Sequence, residues 1–279
     1  HLFSENLLSR LSLNYSKYSY DLTWKVTDSK ARWESDIQDL ELRLDLNHIL
    51  SDKINLQYGA TTTYHMFNPA FISRAGYPYF RMKRSYALEH NLYLGAEQTV
   101  SKALSLTYGA RITVFRNVGK ALLYSYDQNY DVSGTTEYGS GKIYHTYIRP
   151  EFRAGAVYKL DDYSSVKANF THNTQFIQMA NNSDSGSPLD LWFPASPNIK
   201  PQEANQYSVG YFRNFNNNSI ETSVEFYYKG MHNVIDFKDN AQILFNDKLE
   251  GEIRTGKGKS YGMEIMVKKN TGRLTGFVN

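Results

Sequence analysis

The chain has 279 residues, a formal net charge of +3 and no cysteine. The lack of cysteine excludes disulfide frameworks, cysteine-ligated zinc and cysteine nucleophiles. Its positive charges are scattered rather than clustered, so nucleic acid is not an expected partner. No apolar run reaches the roughly 18 residues of a membrane-spanning helix. That does not exclude a membrane, because a transmembrane strand exposes only every second residue to lipid.

Alternating apolar and polar residues predict strands along the chain. From Leu40 to Asn47 leucine occupies every second position, and the alternation resumes after the break at 51–53. A period of two predicts a strand. In the first strand the apolar residues move from odd to even positions, which predicts a bulge near Ser16 and Lys17. The pattern predicts ten long strands, with an eleventh beginning at Leu274: residues 7–27, 36–50, 54–72, 80–100, 103–118, 145–160, 164–181, 205–216, 219–238 and 255–269.

The predicted connections alternate between short and long, which places all tight turns at one end of the sheet. Neither a helical period nor a linker is visible, so residues 1–279 are predicted to form one domain. Short turns are predicted at 4–6, 51–53, 101–102, 161–162, 216–218 and 270–273. Long connections are predicted at 28–35, 73–79, 119–144, 182–204 and 239–254.

Strand length decides between a soluble β-sandwich and a membrane barrel. Sandwich strands have about five or six residues, whereas most of these runs reach about 15 to 20. Strands that cross an apolar band about 25 Å tall must be long, and their short turns and long loops lie on opposite sides. We therefore predict an all-β fold, an antiparallel up-and-down transmembrane β-barrel. Its apolar face would contact lipid, and its polar face would line a lumen with Glu41, Arg43, Arg111, Arg153, Glu225 and Glu264.

Catalytic and metal-binding motifs are not visible in the sequence. The seven histidines are scattered without a ligand spacing, so no metal site and no cofactor are predicted. Asp161-Asp162 is predicted to lie in a solvated turn rather than to form an acid–base pair. Ser183, Ser185 and Ser187 belong to a polar loop without the G-x-S-x-G nucleophile motif. The chain is not predicted to be an enzyme.

Aromatic residues in two long connections are the candidate ligand contacts. At a barrel mouth, exposed aromatic rings can stack on flat ligands. The alternative is that Trp192 and Phe193 pack their loop against its neighbours. Tyrosines on the strands are better explained as an interfacial girdle. The candidates are Tyr124, Tyr126, Tyr130, Tyr138, Trp192 and Phe193.

Three stretches resemble the late barrel region of TonB-dependent outer-membrane receptors of the Bacteroidetes type. They are PLDLWFPASPNIKPQEANQYSVGYFRNF at 188–215, SIETSVEFYYKGMHNVIDF at 219–237, and GKGKSYGMEIMVKKNTGRLTGFVN at 256–279. The third stretch is the most specific, because it is similar to the family hairpin G-x-S/A-Y-G-x-E-x-x-x-K-K-x-x-G-x-L-T-G.

The resemblance implies a barrel of 22 strands with an N-terminal plug domain. It implies active import of a scarce, bulky nutrient across the outer membrane of a Gram-negative bacterium. The partners would be outer-membrane lipid, the plug and the inner-membrane TonB complex, with a surface lipoprotein as a further candidate. Residues 1–279 would then be a partial barrel domain that lacks the plug and the remaining strands. The alternatives are a passive porin or channel and, ranked lower, a surface adhesin or outer-membrane enzyme.

Overall fold

A computed structural model describes residues 2–26, 29–181, 190–243 and 246–279. The loop residues Ser183, Ser185 and Ser187 lie outside the described residues. In the described part of the chain, no helix is long and apolar enough to cross a membrane. A short 3-10 helix spans Leu249–Glu252. The strands are β1 (Leu2–Ser4), β2 (Leu7–Val26), β3 (Ser29–Ser51), β4 (Ile54–Arg74), β5 (Phe80–Arg81), β6 (Ser85–Thr99), β7 (Leu104–Val118), β8 (Ala121–Tyr126), β9 (Val132–Tyr138), β10 (Ile143–Lys159), β11 (Ser164–Gln175), β12 (Ile177–Asn181), β13 (Asp190–Pro194), β14 (Gln202–Phe215), β15 (Ile220–Phe237), β16 (Ile253–Lys269) and β17 (Gly276–Val278).

One large antiparallel sheet contains all ten predicted long strands. Its order is β1-β2-β3-β4-β6-β7-β10-β11-β14-β15-β16-β17, and β5 adds to β4. Long strands that follow one another in the chain are paired in the sheet, which is the up-and-down connectivity that the sequence predicted. The sheet is open, with β1 at one edge and β17 at the other. Two separate hairpins, β8–β9 and β12–β13, lie outside it.

The tight turns form at the predicted positions, and their side chains explain why. The Asp161 carboxylate accepts hydrogen bonds from the Tyr163 backbone N–H at 2.7 Å and the Ser164 hydroxyl at 2.7 Å. Hydrogen bonding by Ser164 and by that N–H holds the Asp161 pKa below its usual value. Asp161 is therefore a turn residue, as the sequence predicted. At the next turn, Asn216, Asn217 and Asn218 have φ angles of 51°, 52° and 65°, a region that asparagine tolerates better than most residues.

The two faces of the sheet differ in polarity as the alternation predicts. Leu13 and Leu42 are cross-strand partners on the outward face, with 72% and 51% of their surfaces exposed. Arg43, the next residue, points to the inward face, where its guanidinium pairs with Asp45 at 2.9 Å. Because the outward leucines are exposed in strands of this length, lipid is the solvent that accounts for their position.

The buried core lies on the inward face at the loop end of the sheet. The larger cluster joins Trp33 of β3 and Ile72 of β4 to Ile235 of β15, although five strands separate β4 from β15 in the sheet. The β12–β13 hairpin supplies Leu191 and Phe193 to the space between these strands. A smaller cluster consists of Phe67, Ala87, Phe115, Phe176 and Ala195.

The predicted bulge at Ser16 and Lys17 is wrong. The β2–β3 register runs without interruption from Leu7 to Val26. The apolar residues move from odd to even positions because the outer half of β2 places Tyr20, Leu22 and Trp24 inward, against the larger buried cluster. The frame shift in the sequence therefore marks a change of apolar environment from lipid to protein.

Three other element predictions need correction. Residues 29–35, predicted as a long connection, continue β3, because Ala31 and Trp33 are buried on its inward face. The strand predicted at 80–100 is interrupted at 82–84, where buried Met82 joins the larger cluster. The strand predicted at 164–181 leaves the sheet after Gln175, because Phe176 turns inward into the smaller cluster.

Candidate ligand-binding cavities

A cavity of about 470 Å³, the lumen cavity, lies on the inward face of strands β2 to β11. Arg43, Arg111 and Arg153, three of the predicted lumen residues, line it together with Arg10. Arg43 pairs with Asp45, and Arg111 lies 3.7 Å from Glu151. Glu41 lies outside this lining, where its carboxylate accepts a hydrogen bond from the Asn14 amide at 3.1 Å. The lumen cavity therefore carries more positive than negative charge.

Two glycines shape the wall beneath Arg153. Gly95 and Gly109 are direct cross-strand partners, and Arg153 is the partner of Gly109 on the next strand. A Cβ atom at Gly95 would lie 2.7 Å from an Arg153 guanidinium nitrogen, and one at Gly109 would lie 3.0 Å from another. The missing side chains allow the Arg153 side chain to lie along the wall instead of across the lumen.

Glu225 and Glu264 lie on a different part of the sheet from the lumen cavity. They are direct cross-strand partners on β15 and β16. Like charges in this position destabilise a sheet. Neighbouring Glu221, by contrast, pairs with Lys268 at 3.7 Å. In the described part of the chain, neither Glu225 nor Glu264 forms an ion pair within 4.0 Å, so no opposite charge of the chain offsets their cross-strand pairing.

A buried polar group that the sequence analysis missed joins β3, β4 and β6. His65 Nδ1 lies 2.8 Å from an Asp39 carboxylate oxygen, and its Nε2 lies 3.6 Å from Glu89. The imidazole is buried between two carboxylates on the inward face. The sequence pattern could have indicated this group, because Asp39, His65 and Glu89 all occupy the polar positions of their strands. Among the residues that the structure describes, no group of three metal-ligating side chains is close enough to hold a metal ion.

A second cavity of about 120 Å³, the outer cavity, lies among the loops at the other end of the sheet. Tyr124, Tyr126, Trp192 and Phe193 line it, so the structure brings together four of the six predicted ligand contacts. Phe193 has only 6% of its surface exposed and packs its ring edge against Phe237. Phe193 thus packs against β15, and its role as a ligand contact stays a prediction.

The tyrosines of the β8–β9 hairpin and its connection fall into two groups. The Tyr124 hydroxyl donates to Asp247 at 2.8 Å, and the Tyr126 hydroxyl donates to the Lys248 carbonyl at 3.2 Å. Burial raises the pKa of the Tyr126 hydroxyl above its usual value. Tyr130 and Tyr138 do not line the outer cavity. The Arg254 guanidinium carbon lies 3.5 Å from the centre of the Tyr130 ring. The Tyr138 ring stacks on the Tyr144 ring, with 4.8 Å between their centres.

Glu250 was not predicted, yet it links the elements around the outer cavity. Its carboxylate accepts a hydrogen bond of 2.5 Å from the Asn198 amide, which also donates to the Tyr124 carbonyl at 2.9 Å. Burial raises the pKa of Glu250, while the hydrogen bonds from Asn198 and Ser196 oppose that shift. No sequence pattern marks this residue, because its burial depends on three segments that are distant in the chain.

Comparison with known proteins assigns the fold to a family. The family model described as "TonB dependent receptor-like, beta-barrel" matches residues 1–277. The chain belongs to this family of outer-membrane receptors, and the transmembrane barrel fold predicted from its sequence is confirmed. No curated protein sequence matches the chain.

Several solved structures share this fold. The copper transporter OprC is 12% identical, with a TM-score of 0.67 over 97% of this chain and 43% of its own. The ferric-catecholate import receptor Fiu from E. coli K12 is 14% identical, with a TM-score of 0.59 over 98% and 44%. P. aeruginosa FpvA, solved with a bound pyoverdine, is 17% identical, with a TM-score of 0.61 over 98% and 37%. The chain thus spans less than half of each of these structures.

Proposed function

We propose that the chain forms part of the barrel of an outer-membrane receptor of the Bacteroidetes type in a Gram-negative bacterium. This receptor imports a scarce, bulky nutrient with energy from the inner-membrane TonB complex. The observation that carries the proposal is the inward face, where charged side chains line a cavity of about 470 Å³ behind an outward face of exposed leucines. The structural neighbours include a copper transporter and a ferric-catecholate receptor, so metal ions and their chelates are the first ligands to test.

The outer cavity is the proposed point of first contact with the ligand. Tyr124, Tyr126 and Trp192 present aromatic and hydroxyl surface there, beside the charged side chains of Lys83 and Asp247. Such a mixture of aromatic and polar groups is usual in ligand sites. Tyr130 and Tyr138 lie outside the cavity and are not proposed as contacts. A surface lipoprotein partner stays a prediction from the sequence.

Uptake measurements test active import. Cells with and without the gene, each with and without TonB, would be given radioactive iron bound to a catecholate chelator and, separately, copper ions. We expect one probe to accumulate only when both the gene and TonB are present. Gene-dependent accumulation that persists without TonB would identify a passive channel. If neither probe accumulates, expression of the gene would be compared between cells given oligosaccharides and cells limited for metal. Induction by oligosaccharides alone would show that the metal assignment is wrong.

The opposed carboxylates of Glu225 and Glu264 are the proposed contact for a positively charged side chain of the plug. The Glu225→Gln/Glu264→Gln variant would remove the charge that holds this cation, while Glu221→Gln on the same strand is the matched control. We expect the double variant alone to loosen the plug and to increase sensitivity to vancomycin. Equal sensitivity of the two variants would remove these carboxylates from the plug interface.

A further inference from the structure

Two lysines oppose each other on the outward face of the sheet, at the loop ends of β2 and β3. Ala31 and Trp33 are buried on the inward face, so Lys30 points outward, because successive side chains of a strand alternate between the two faces. Lys25 is the direct cross-strand partner of Lys30, and both side chains are exposed. Among the described residues, neither lysine forms an ion pair within 4.0 Å. Like charges in this position repel each other.

The β4–β5 hairpin adds an arginine that is held against aromatic rings on the same face. Arg81 is the cross-strand partner of Phe71, and its guanidinium carbon lies 4.7 Å from the centre of the Phe71 ring. The Tyr79 ring centre lies 5.7 Å from that of Phe71, and 69% of the Tyr79 surface is exposed. Residues 71–84, which include this hairpin, contain four cations and no carboxylate.

The two carboxylates in the cross-strand row of Arg81 already have a partner. The row runs from Asp21 through Glu34 and Phe71 to Arg81. Arg32 lies 3.5 Å from the Asp21 carboxylate and 3.2 Å from that of Glu34. Within the part of the chain that the structure describes, Arg81 itself has no carboxylate within 4.0 Å. The basic patch, as we call this surface, consists of Lys25, Lys30, Phe71, Tyr79 and Arg81.

The basic patch lies far beyond the apolar band of the barrel. The exposed outward leucines of β3 end at Leu40, while Glu34 and Lys30 follow toward the loop end of the same strand. With a rise of about 3.3 Å per residue and a tilt of about 40°, the basic patch lies roughly 15–25 Å beyond Leu40. Phospholipid headgroups extend only about 5–8 Å beyond the hydrocarbon core. The basic patch is therefore too far out to meet a phospholipid phosphate, but sugars carried by a lipid reach this height.

We propose that the basic patch binds the anionic sugar chain of an outer-leaflet glycolipid such as lipopolysaccharide. Its cations would pair with phosphate groups on the sugars through charge-assisted hydrogen bonds. A phosphate near Lys25 and Lys30 would offset the repulsion between them. The exposed ring and hydroxyl of Tyr79 suit the polar surface of a membrane. This inference rests on the proposed placement in an outer membrane, but it requires neither energised import nor a transported ligand.

Retention of glycolipid by the intact receptor tests the proposal. The receptor would be extracted from outer membranes in mild detergent and washed with a chelator of divalent cations, and bound lipopolysaccharide would be measured by phosphate analysis. The Lys30→Gln/Arg81→Gln variant removes two exposed charges, and heat-modifiable gel migration would verify that it is folded. We expect the variant to retain lipopolysaccharide at a level about threefold lower or less, because each exposed ion pair contributes modestly.

The matched control is Arg213→Gln at the tight-turn end of the barrel. The Arg213 guanidinium carbon lies 5.3 Å from the centre of the Phe215 ring, whose side chain is exposed on the outward face. Arg213 thus repeats the arrangement of Arg81 and Phe71 on the side of the membrane where the glycolipid is absent. We expect this control to retain as much lipopolysaccharide as the parent.

Titration of the purified receptor distinguishes the glycolipid from other anions. The probes are lipopolysaccharide, its enzymatically dephosphorylated form, inorganic phosphate and vesicles of phosphatidylglycerol. We expect only intact lipopolysaccharide to bind the parent more tightly than the Lys30→Gln/Arg81→Gln variant. Equal binding of the dephosphorylated form would refute recognition of phosphate. The same preference for the parent with inorganic phosphate would identify a site for a soluble anion, and with phosphatidylglycerol a site for phospholipid, and either would overturn the proposal.

A failure of this inference is distinguishable from a failure of the proposed function. Unchanged retention in the folded double variant would overturn the glycolipid site and leave import untouched. A receptor that retains lipopolysaccharide through the basic patch but accumulates no transported probe would refute import alone. Absence of the receptor from the outer-membrane fraction would overturn both.

Discussion

Phe115 shows at the scale of one residue how much the inward packing matters. Its side chain is fully buried and stacks on Phe176. We expect Phe115→Ala to lower the free energy of unfolding by about 3–5 kcal/mol, because truncation of a buried phenylalanine loses its contacts and leaves a cavity. Urea titration of the receptor in lipid vesicles, followed by fluorescence, measures this change.

The control for this prediction is Phe226→Ala. Phe226 is also a phenylalanine on a long strand, but it points outward and half of its surface is exposed. Lipid chains can fill the space that Phe226 leaves, so a smaller loss is expected. Equal losses in the two variants would show that the inward cluster does not pack as described.

Glu250 should make the stability of the loop region depend on pH. Burial raises its pKa above the ordinary value of 4.5, so the folded chain holds this proton more tightly than the unfolded chain. As pH rises above 4.5, the unfolded carboxyl ionises first, and the free energy of unfolding falls until the folded carboxyl has ionised too. Below 4.5 both states hold the proton and the group contributes no slope.

Glu250→Gln isolates this effect, because glutamine keeps the oxygen that accepts from Asn198 but cannot ionise. Unfolding would be measured at a series of pH values for both proteins, and the difference between the two curves reports Glu250 alone. We expect the variant to gain stability relative to the parent as pH rises above 4.5. A constant difference across the series would show that the folded protein does not raise the Glu250 pKa.

At the scale of elements, the tight turn between β14 and β15 depends on its three asparagines. Asn217 has a φ angle of 52°, which strains residues that branch at Cβ. We expect Asn217→Val to cost about 1–2 kcal/mol, the usual penalty for a left-handed conformation, and Asn217→Gly to cost little. Asn129→Val is the matched control, since Asn129 is not among the residues with positive φ. Unfolding of the three variants in urea compares the costs, and equal effects at the two sites would contradict the turn geometry.

The regular elements could be predicted and the inner elements could not. The predicted bounds of strands such as β4, β7 and β15 are confirmed within two residues. Successive side chains of these strands face lipid and the lumen in turn, so the strands leave a period of two in the sequence. The β12–β13 hairpin and the residues that flank it have no such pattern. Phe176 continues the sequence of β11 but turns inward, because the partners that bury it lie on β4, β6 and β7. Contacts this distant leave no local period in the sequence.

At the scale of the whole molecule, lipid should distinguish the two faces of the sheet. Leu42 points outward in the apolar band, whereas Gln57 points into the lumen cavity. We expect Leu42→Arg to destabilise the barrel by about 2–4 kcal/mol, the cost of an arginine that faces the bilayer midplane. Gln57→Arg introduces the same residue on the wet face and should cost much less. Refolding yield and urea stability in lipid vesicles measure both, and equal costs would show that the outward face does not contact lipid.

The sequence alone determined the membrane barrel, the ten long strands and the division into tight turns and loops. It did so because each of these features repeats every second residue or depends on a few adjacent residues. Only the tertiary structure decided which inward charges meet, why the apolar frame of β2 changes, that Glu250 is partly buried and that Phe176 is buried. These outcomes depend on contacts between segments far apart in the chain, and such contacts leave no periodic pattern in the local sequence.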